Sequence, residues 1–259
     1  MNHPLGSIHH PLLSKRRAVS DFARYGFFLA VLAGLTALLA GLGSRWGWWD
    51  FRLGFTILKW GGYTGLAAMT LSLIGCVVSR PGGPRRGFLL AVSGLLISLV
   101  IIGVLAGWIW TARHVPPIHD ITTDTENPPA FAAVLPLREG APNPAEYGGP
   151  EIAAQQRAGY PDLGPAILSV PPQQAFERAL AVARNMGWEV VASNLADGRI
   201  EATDTTFWFG FKDDVVVRIT PAEGGSRMDV RSVSRVGRSD VGTNAKRIQR
   251  YLQKVTRTG

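Results

Sequence analysis

Apolar residues run almost unbroken through positions 25–43, 61–78 and 88–110, and from residue 172 onward they recur at helical or strand intervals. A helix of about 20 residues crosses a hydrocarbon layer of about 30 Å, so each long run predicts a membrane-spanning helix. In the later part, Phe176, Leu180, Ala183 and Met186 share one helical face, and Gly187 follows as a C-terminal cap. Residues 188–193 are rich in β-formers, Asp197-Gly198 marks a turn, and residues 199–203 complete a hairpin. Residues 214–220 and 227–235 predict a second hairpin across 221–225. In its last strand Met228, Val230 and Ser232 fall on one face, with Asp229, Arg231, Val233 and Arg235 on the other. Val241, Ala245, Ile248, Leu252 and Val255 then mark a final helix, with Lys246, Arg247, Arg250 and Lys254 on the opposite side.

The predicted fold class is α+β. Three transmembrane helices precede an extramembrane domain whose antiparallel four-stranded sheet carries two helices on one face. Such helix-grip arrangements occur in lipoprotein modules of envelope assembly and in other binding domains, an analogy of fold alone. Between the two parts, residues 116–172 hold twelve of the 17 prolines, which excludes long regular elements. Ile118, Ile121, Phe131, Leu135, Tyr147, Tyr160 and Leu163 punctuate this stretch, predicting a segment that wraps over the domain and carries a short helix near 151–158. The expected divisions are a cytoplasmic tail (1–21), a three-helix anchor (22–111), a proline-rich wrap (112–171) and an α+β domain (172–259).

Charge sharpens this picture. The formal balance is +8, and all of it lies in residues 1–111, because residues 112–259 carry seventeen bases and seventeen acids. A neutral outer domain argues against nucleic acid as a partner. Lys15, Arg16, Arg17 and Arg24 precede the first span and Arg80, Arg85 and Arg86 fill the second loop, whereas the first loop offers only Arg45 and Arg52. The positive-inside rule then places the amino terminus in the cytoplasm. Trp46, Trp48, Trp49, Trp60, Trp108 and Trp110 all fall at the opposite interface, where indoles prefer to lie. No small-residue cleavage site follows the first span, and Arg16-Arg17 only faintly suggests a twin-arginine address, so that helix is expected to remain. The expected location is a bacterial cytoplasmic (inner) membrane, with the C-terminal domain periplasmic. The one cysteine, Cys76, lies in the second span, so the outer domain must fold without a disulfide.

Three stretches carry a family likeness. They are Pro117-Ile118-His119-Asp120-Ile121-Thr122-Thr123-Asp124 with Pro128-Pro129; Phe207-Trp208-Phe209-Gly210-Phe211-Lys212-Asp213-Asp214; and residues 229–240 continuing through Gly242, Asn244 and Arg247-Ile248. Together, over roughly residues 116–255, they resemble the bacterial and plastid domain of unknown function 1499. The resemblance implies no catalytic residues, and the three spans lie outside it.

Candidate chemistry concentrates at residues 234–244. Arg235 and Arg238 flank Gly237, and Ser239 or Asp240 can cap the last helix, a combination suited to an anion such as a lipid or glycan headgroup. The alternative is internal pairing of Arg231, Arg235 and Arg238 with Asp120, Asp124 and Glu126. Residues 112–226 carry fifteen acids to eight bases and residues 227–259 nine bases to two acids, halves that attract each other. In residues 207–211, strand alternation puts Phe207, Phe209 and Phe211 in the core and Trp208 on the other face, where it can line a pocket or touch the bilayer. The preceding Thr203-Asp204-Thr205-Thr206 reads as a turn.

His119, Asp120 and Asp124, with His114 nearby, fall short of a zinc ligand set, so no metal or cofactor is expected. The core after Pro172 has neither His nor Cys, and His3, His9 and His10 lie on the cytoplasmic tail, which leaves no nucleophilic constellation within that core. The expected function is a non-enzymatic binding or envelope-assembly module that recognises an anionic envelope molecule or a protein partner. Its expected ligand-binding residues are Arg235, Arg238, Ser239, Asp240 and Trp208, with Asp120 and Asp124 as counterparts of the arginines. A lipid or small-ligand carrier centred on Trp208 is the alternative, and a hydrolase using His119 and Ser239 stands behind it.

Overall fold

The computed structural model describes residues 17–257. His3, His9, His10, Lys15 and Arg16 lie outside the described residues. Three helices, α1 (Asp21–Arg45), α2 (Phe51–Val78) and α3 (Phe88–His114), are each long and apolar enough to cross a membrane. They extend beyond the apolar runs by as much as ten residues, because α2 starts at Phe51 and takes in Arg52 and Lys59. The chain forms two compact units, one built from residues up to Ala37 together with Ile57–Gly103, the other from Leu38–Thr56 together with residues from Val104 onward.

In the first unit, small residues set the helix separation. A side chain at Gly75 would meet the backbone of Ala23 at 2.8 Å, and one at Gly94 would meet that of Phe27 at 2.9 Å. Close approach of this kind is how helices associate where lipid removes the hydrophobic drive. The chain before α1 is tied to the second loop by Ser20 N–H to the Arg86 carbonyl (2.9 Å) and Arg17 Nη1 to that of Gly83 (2.6 Å).

The second unit is built on one antiparallel sheet of six strands rather than four. Its hairpins are β3 (Glu189–Asn194) with β4 (Arg199–Thr205) and β5 (Lys212–Ala222) with β6 (Gly225–Ser234), giving the order β6-β5-β4-β3. Two further strands, β1 (Asp120–Thr122) and β2 (Ala166–Leu168), lie end to end along the free edge of β6, pairing with residues 231–233 and 226–228. Each is three residues long and hemmed by prolines, too short to show periodicity. They cover an edge that would otherwise expose a row of unpaired backbone groups.

Two helices, α5 (Pro172–Asn185) and α6 (Thr243–Arg257), pack with Ile200, Ala202, Val215, Val217, Met228 and Val230, which alternate along β4, β5 and β6 and so share one sheet face. Trp188 stacks on Tyr251 at 4.7 Å, and the Tyr251 hydroxyl donates to the Ala179 carbonyl at 2.9 Å. Burial alone puts the pKa of that phenol far above its ordinary value. On the opposite face, Phe131 and Val134 pack on Val216 and Val233. A single turn of 3-10 helix (Leu135–Arg138) follows, and α4 (Gly149–Gly159) lies beyond it. Leu135, expected as an anchor, is exposed, while Val134 beside it is fully buried. Gln156 of α4 binds β1 through its amide, accepting from Thr122 N–H (2.9 Å) and donating to the Thr122 carbonyl (2.6 Å).

Candidate functional site

The β4–β5 connection, residues 206–211, is a tight loop and not the strand its alternation suggests, and β4 runs on through Thr203, Asp204 and Thr205, which are not a turn. Thr206 organises the loop. Its N–H donates to the Phe211 carbonyl (2.8 Å), its carbonyl accepts from Gly210 N–H (3.1 Å), and its hydroxyl accepts from Phe211 N–H (2.9 Å). The aromatic run therefore points in several directions. Phe207, expected in the core, is 81% exposed, whereas Phe209 is 5% exposed.

The loop rests on the ends of α1, α2 and α3 that belong to the same compact unit. Trp208 Nε1 donates to the Leu38 carbonyl at 3.0 Å, and its ring lies 4.8 Å from that of Trp108. Phe209 meets Phe55 at 4.8 Å and stacks on Phe211 at 5.4 Å, and Phe211 meets Phe51 at 5.7 Å. Arg45 Nη1 donates to the carbonyls of Thr206 (2.8 Å) and Phe207 (3.1 Å). Two glycines make room. Any side chain at Gly41 would overlap the Trp208 ring, and one at Gly54 would come within 2.9 Å of Phe209.

These rings wall a cleft of about 560 Å³. Its apolar side is formed by Phe51, Phe55, Trp108, Ile109, Trp208 and Phe209, and its polar side by Asp213, Ser234, Ser239, Asp240, Thr243 and Lys246. Both acids are engaged. Asp213 accepts from Arg247 Nη2 at 2.6 Å. Asp240 accepts from the N–H groups of Gly242 (2.9 Å) and Asn244 (2.6 Å), capping α6. Burial raises the Asp240 pKa despite those two bonds. The Ser239 hydroxyl accepts from Val241 N–H at 3.2 Å. Val241 itself has φ 52°, a left-handed conformation that β-branched residues rarely adopt. Lys246 is exposed and makes no ion pair among the described residues.

Of the five expected ligand-binding residues, Trp208, Ser239 and Asp240 come together on this cleft, and Arg235 and Arg238 are not among its walls. Arg235 points to the other sheet face, where Nε and Nη2 grip Asp214 at 2.9 and 2.8 Å. Arg138 Nη1 (2.6 Å) and the Thr203 hydroxyl (2.7 Å) complete the shell of that carboxylate. Burial opposes the charge of Asp214, but hydrogen bonds from Arg235, Thr203 and Arg138 outweigh it, and its pKa lies below the ordinary value. Asp120 is the partner of Arg231, with Nε and Nη2 at 2.9 and 2.7 Å, and the Arg231 guanidinium lies 5.2 Å from the Phe131 ring and 5.4 Å from Tyr147. Asp124 binds Arg218 (3.0 Å) and Arg227 (3.1 Å), and Glu126 pairs with Arg157 in an exposed position. Arg238 is exposed and without an ion-pair partner among the described residues. Arg247, grouped by periodicity with solvent-facing Lys246, is instead buried between Asp204 and Asp213.

Among the described residues, no three His, Cys, Asp or Glu side chains gather to hold a metal ion. His119 Nδ1 faces the Arg238 carbonyl at 3.4 Å, and no hydrogen bond joins it to Ser239. Phe51, Phe55, Trp108, Ile109 and Lys246 are cleft residues that sequence reasoning did not find. The clustering of tryptophans at one interface was their nearest signal, but nothing in the spacing linked Trp108 to Trp208.

The fold and cleft define a class: an α+β protein carrying three helices suited to a membrane, with an aromatic cleft where the sheet domain meets its own helix ends. Residues 120–255 match the family described as Protein of unknown function (DUF1499), and the chain belongs to it. The match includes Trp208, Ser239, Asp240 and the Arg235–Asp214 pair, and excludes Phe51, Phe55 and Trp108. No curated protein matches the chain.

Proposed function

We propose that this protein is a non-catalytic, membrane-embedded binding module that takes the apolar part of a membrane amphiphile into the Trp208 cleft. One observation carries the reading. Rings from the loop (Trp208, Phe209) and from the ends of α2 and α3 (Phe55, Trp108) enclose about 560 Å³ beside a polar rim. That volume falls within the range of about 300–1,000 Å³ typical of small-molecule sites, and an apolar wall with a few polar groups is their usual chemistry. Phe207, almost wholly exposed beside the cleft, suits contact with a bilayer surface. Arg235 is satisfied by Asp214, which favours this reading over an anion site centred on the arginine pair.

The same reading takes residues 112–171 as a segment wrapped over the α+β domain, supported by the packing of Phe131 and Val134 and by the Gln156–Thr122 bonds. It places the protein in a bacterial inner membrane with its C-terminal domain periplasmic, on the strength of Arg17, Arg24, Arg80, Arg85 and Arg86 at one end of the helices and the tryptophans at the other.

The test is native mass spectrometry of the full chain released from nanodiscs. The wild type should keep one amphiphile after lipids bound nonspecifically are stripped, and Trp208→Ala and Phe55→Ala should lose it. Equal retention by all three proteins would overturn the reading.

A further inference from the structure

The polar side of the cleft discriminates by charge. Asp213 shares the Arg247 guanidinium with Asp204, and Asp240 spends both oxygens on backbone N–H groups. The Ser234 hydroxyl oxygen accepts from Asn244 Nδ2 at 3.0 Å. What remains free are donors. Lys246 has no ion-pair partner, and the Thr243 hydroxyl has no hydrogen-bond partner among the described residues. The Ser239 hydroxyl accepts one bond and keeps its own proton to give. The charge continues outward through exposed Arg250, one turn along α6, and through Arg113, next to the cleft residue Ala112 on α3; neither has an ion-pair partner among the described residues. The apolar wall, by contrast, includes Phe51, Phe55, Trp108 and Ile109 from the ends of helices long and apolar enough to span a membrane.

We infer that the occupant is an anionic glycerophospholipid drawn from the adjoining leaflet, its acyl portion against Phe55, Trp108 and Phe209 and its phosphate at Lys246, Ser239 and Thr243. This rests on the proposed function and adds the headgroup. Lys246, with Arg250 and Arg113 further out, attracts a net negative headgroup and gives a zwitterionic one little. The bonds of Asp240 to Gly242 and Asn244 hold the Ser239–Gly242 turn in one arrangement at the phosphate position, against the left-handed φ of Val241.

A photoreactive probe separates the two levels. Phe209→4-benzoylphenylalanine in the full chain is irradiated in nanodiscs of equal phosphatidylglycerol and phosphatidylcholine, and the adduct masses are read. If this variant does not fold, Phe55 carries the probe instead. Adducts should favour phosphatidylglycerol about fivefold, the scale of one interfacial cation. Lys246→Gln should bring the ratio towards one, and Arg184→Gln, exposed on α5, should leave it unchanged. Lipid adducts with no headgroup preference, or a preference indifferent to Lys246→Gln, would overturn the headgroup assignment and leave the cleft reading standing. Absence of any lipid adduct would overturn both.

Discussion

Arg235, the residue that follows β6, holds Asp214 of β5 with two nitrogens, Nε at 2.9 Å and Nη2 at 2.8 Å. The carboxylate is fully buried, and among the described residues Arg138 at 2.6 Å is its only other cation. Removing one partner of such a pair costs far more than the pair contributes, because a charge is left without its shell. Arg235→Ala should therefore destabilise the protein by about 3 kcal/mol, Arg138 limiting the loss. Arg238→Ala, on an exposed side chain, should stay within about 0.5 kcal/mol. Thermal unfolding of the full chain in detergent checks both. Equal melting temperatures for wild type and Arg235→Ala would show the pair to be dispensable and return Arg235 to the candidate ligand residues.

Asp214 and Asp240 should give opposite pH dependences. The folded-state pKa of Asp214 lies below the ordinary 3.8, so its contribution to stability is present above the unfolded value and is lost as pH falls through the folded one. The folded-state pKa of Asp240 lies above 3.8, raised by burial against the bonds from Asn244 and Gly242. Its contribution is present below the unfolded value and lost as pH rises through the folded one. Melting temperatures should be compared across acid to neutral pH with Asp214→Asn and Asp240→Asn, each of which removes one titration. The advantage of wild type over Asp214→Asn should shrink on acidification, and that over Asp240→Asn should shrink as pH rises. Differences that move in parallel would refute the assignments.

The parts of this fold legible in sequence are those where one periodicity runs long enough to register. The three apolar runs, both hairpins, and helices α5 and α6 meet that condition. The short strands β1 and β2 do not, since three residues carry no period. Residues 207–211 misled because alternating aromatics mimic a strand, whereas Thr206 closes the segment into a loop through its backbone and hydroxyl. Arg247 and Lys246 are adjacent and both basic, yet only Arg247 meets buried acids, a difference that depends on the depth of β4 and β5 beneath α6. The cleft was half legible for a related reason. Trp208, Ser239 and Asp240 fall within two of the three recognisable motifs, whereas Phe55 and Trp108 lie outside them and join the cleft only through tertiary packing.

Gly41 and Trp208 provide a test of that packing whose sign can be reversed. A side chain at Gly41 would overlap the Trp208 ring, which is held by its Nε1 bond to the Leu38 carbonyl and by Trp108 at 4.8 Å. Gly41→Ala should therefore push the ring out, break that bond and destabilise the protein by about 1–3 kcal/mol, the usual cost of overpacking. In a Trp208→Ala background the three atoms nearest the new methyl group, all of the indole, are gone. Alanine is then the better helix former by up to about 1 kcal/mol, and the same substitution should become neutral or stabilising. Such a sign change is a coupling energy between the two sites, measured by a double-mutant cycle on unfolding of the full chain. Additive effects would show that Trp208 does not occupy the space above Gly41, and the aromatic wall of the cleft would lose its central member.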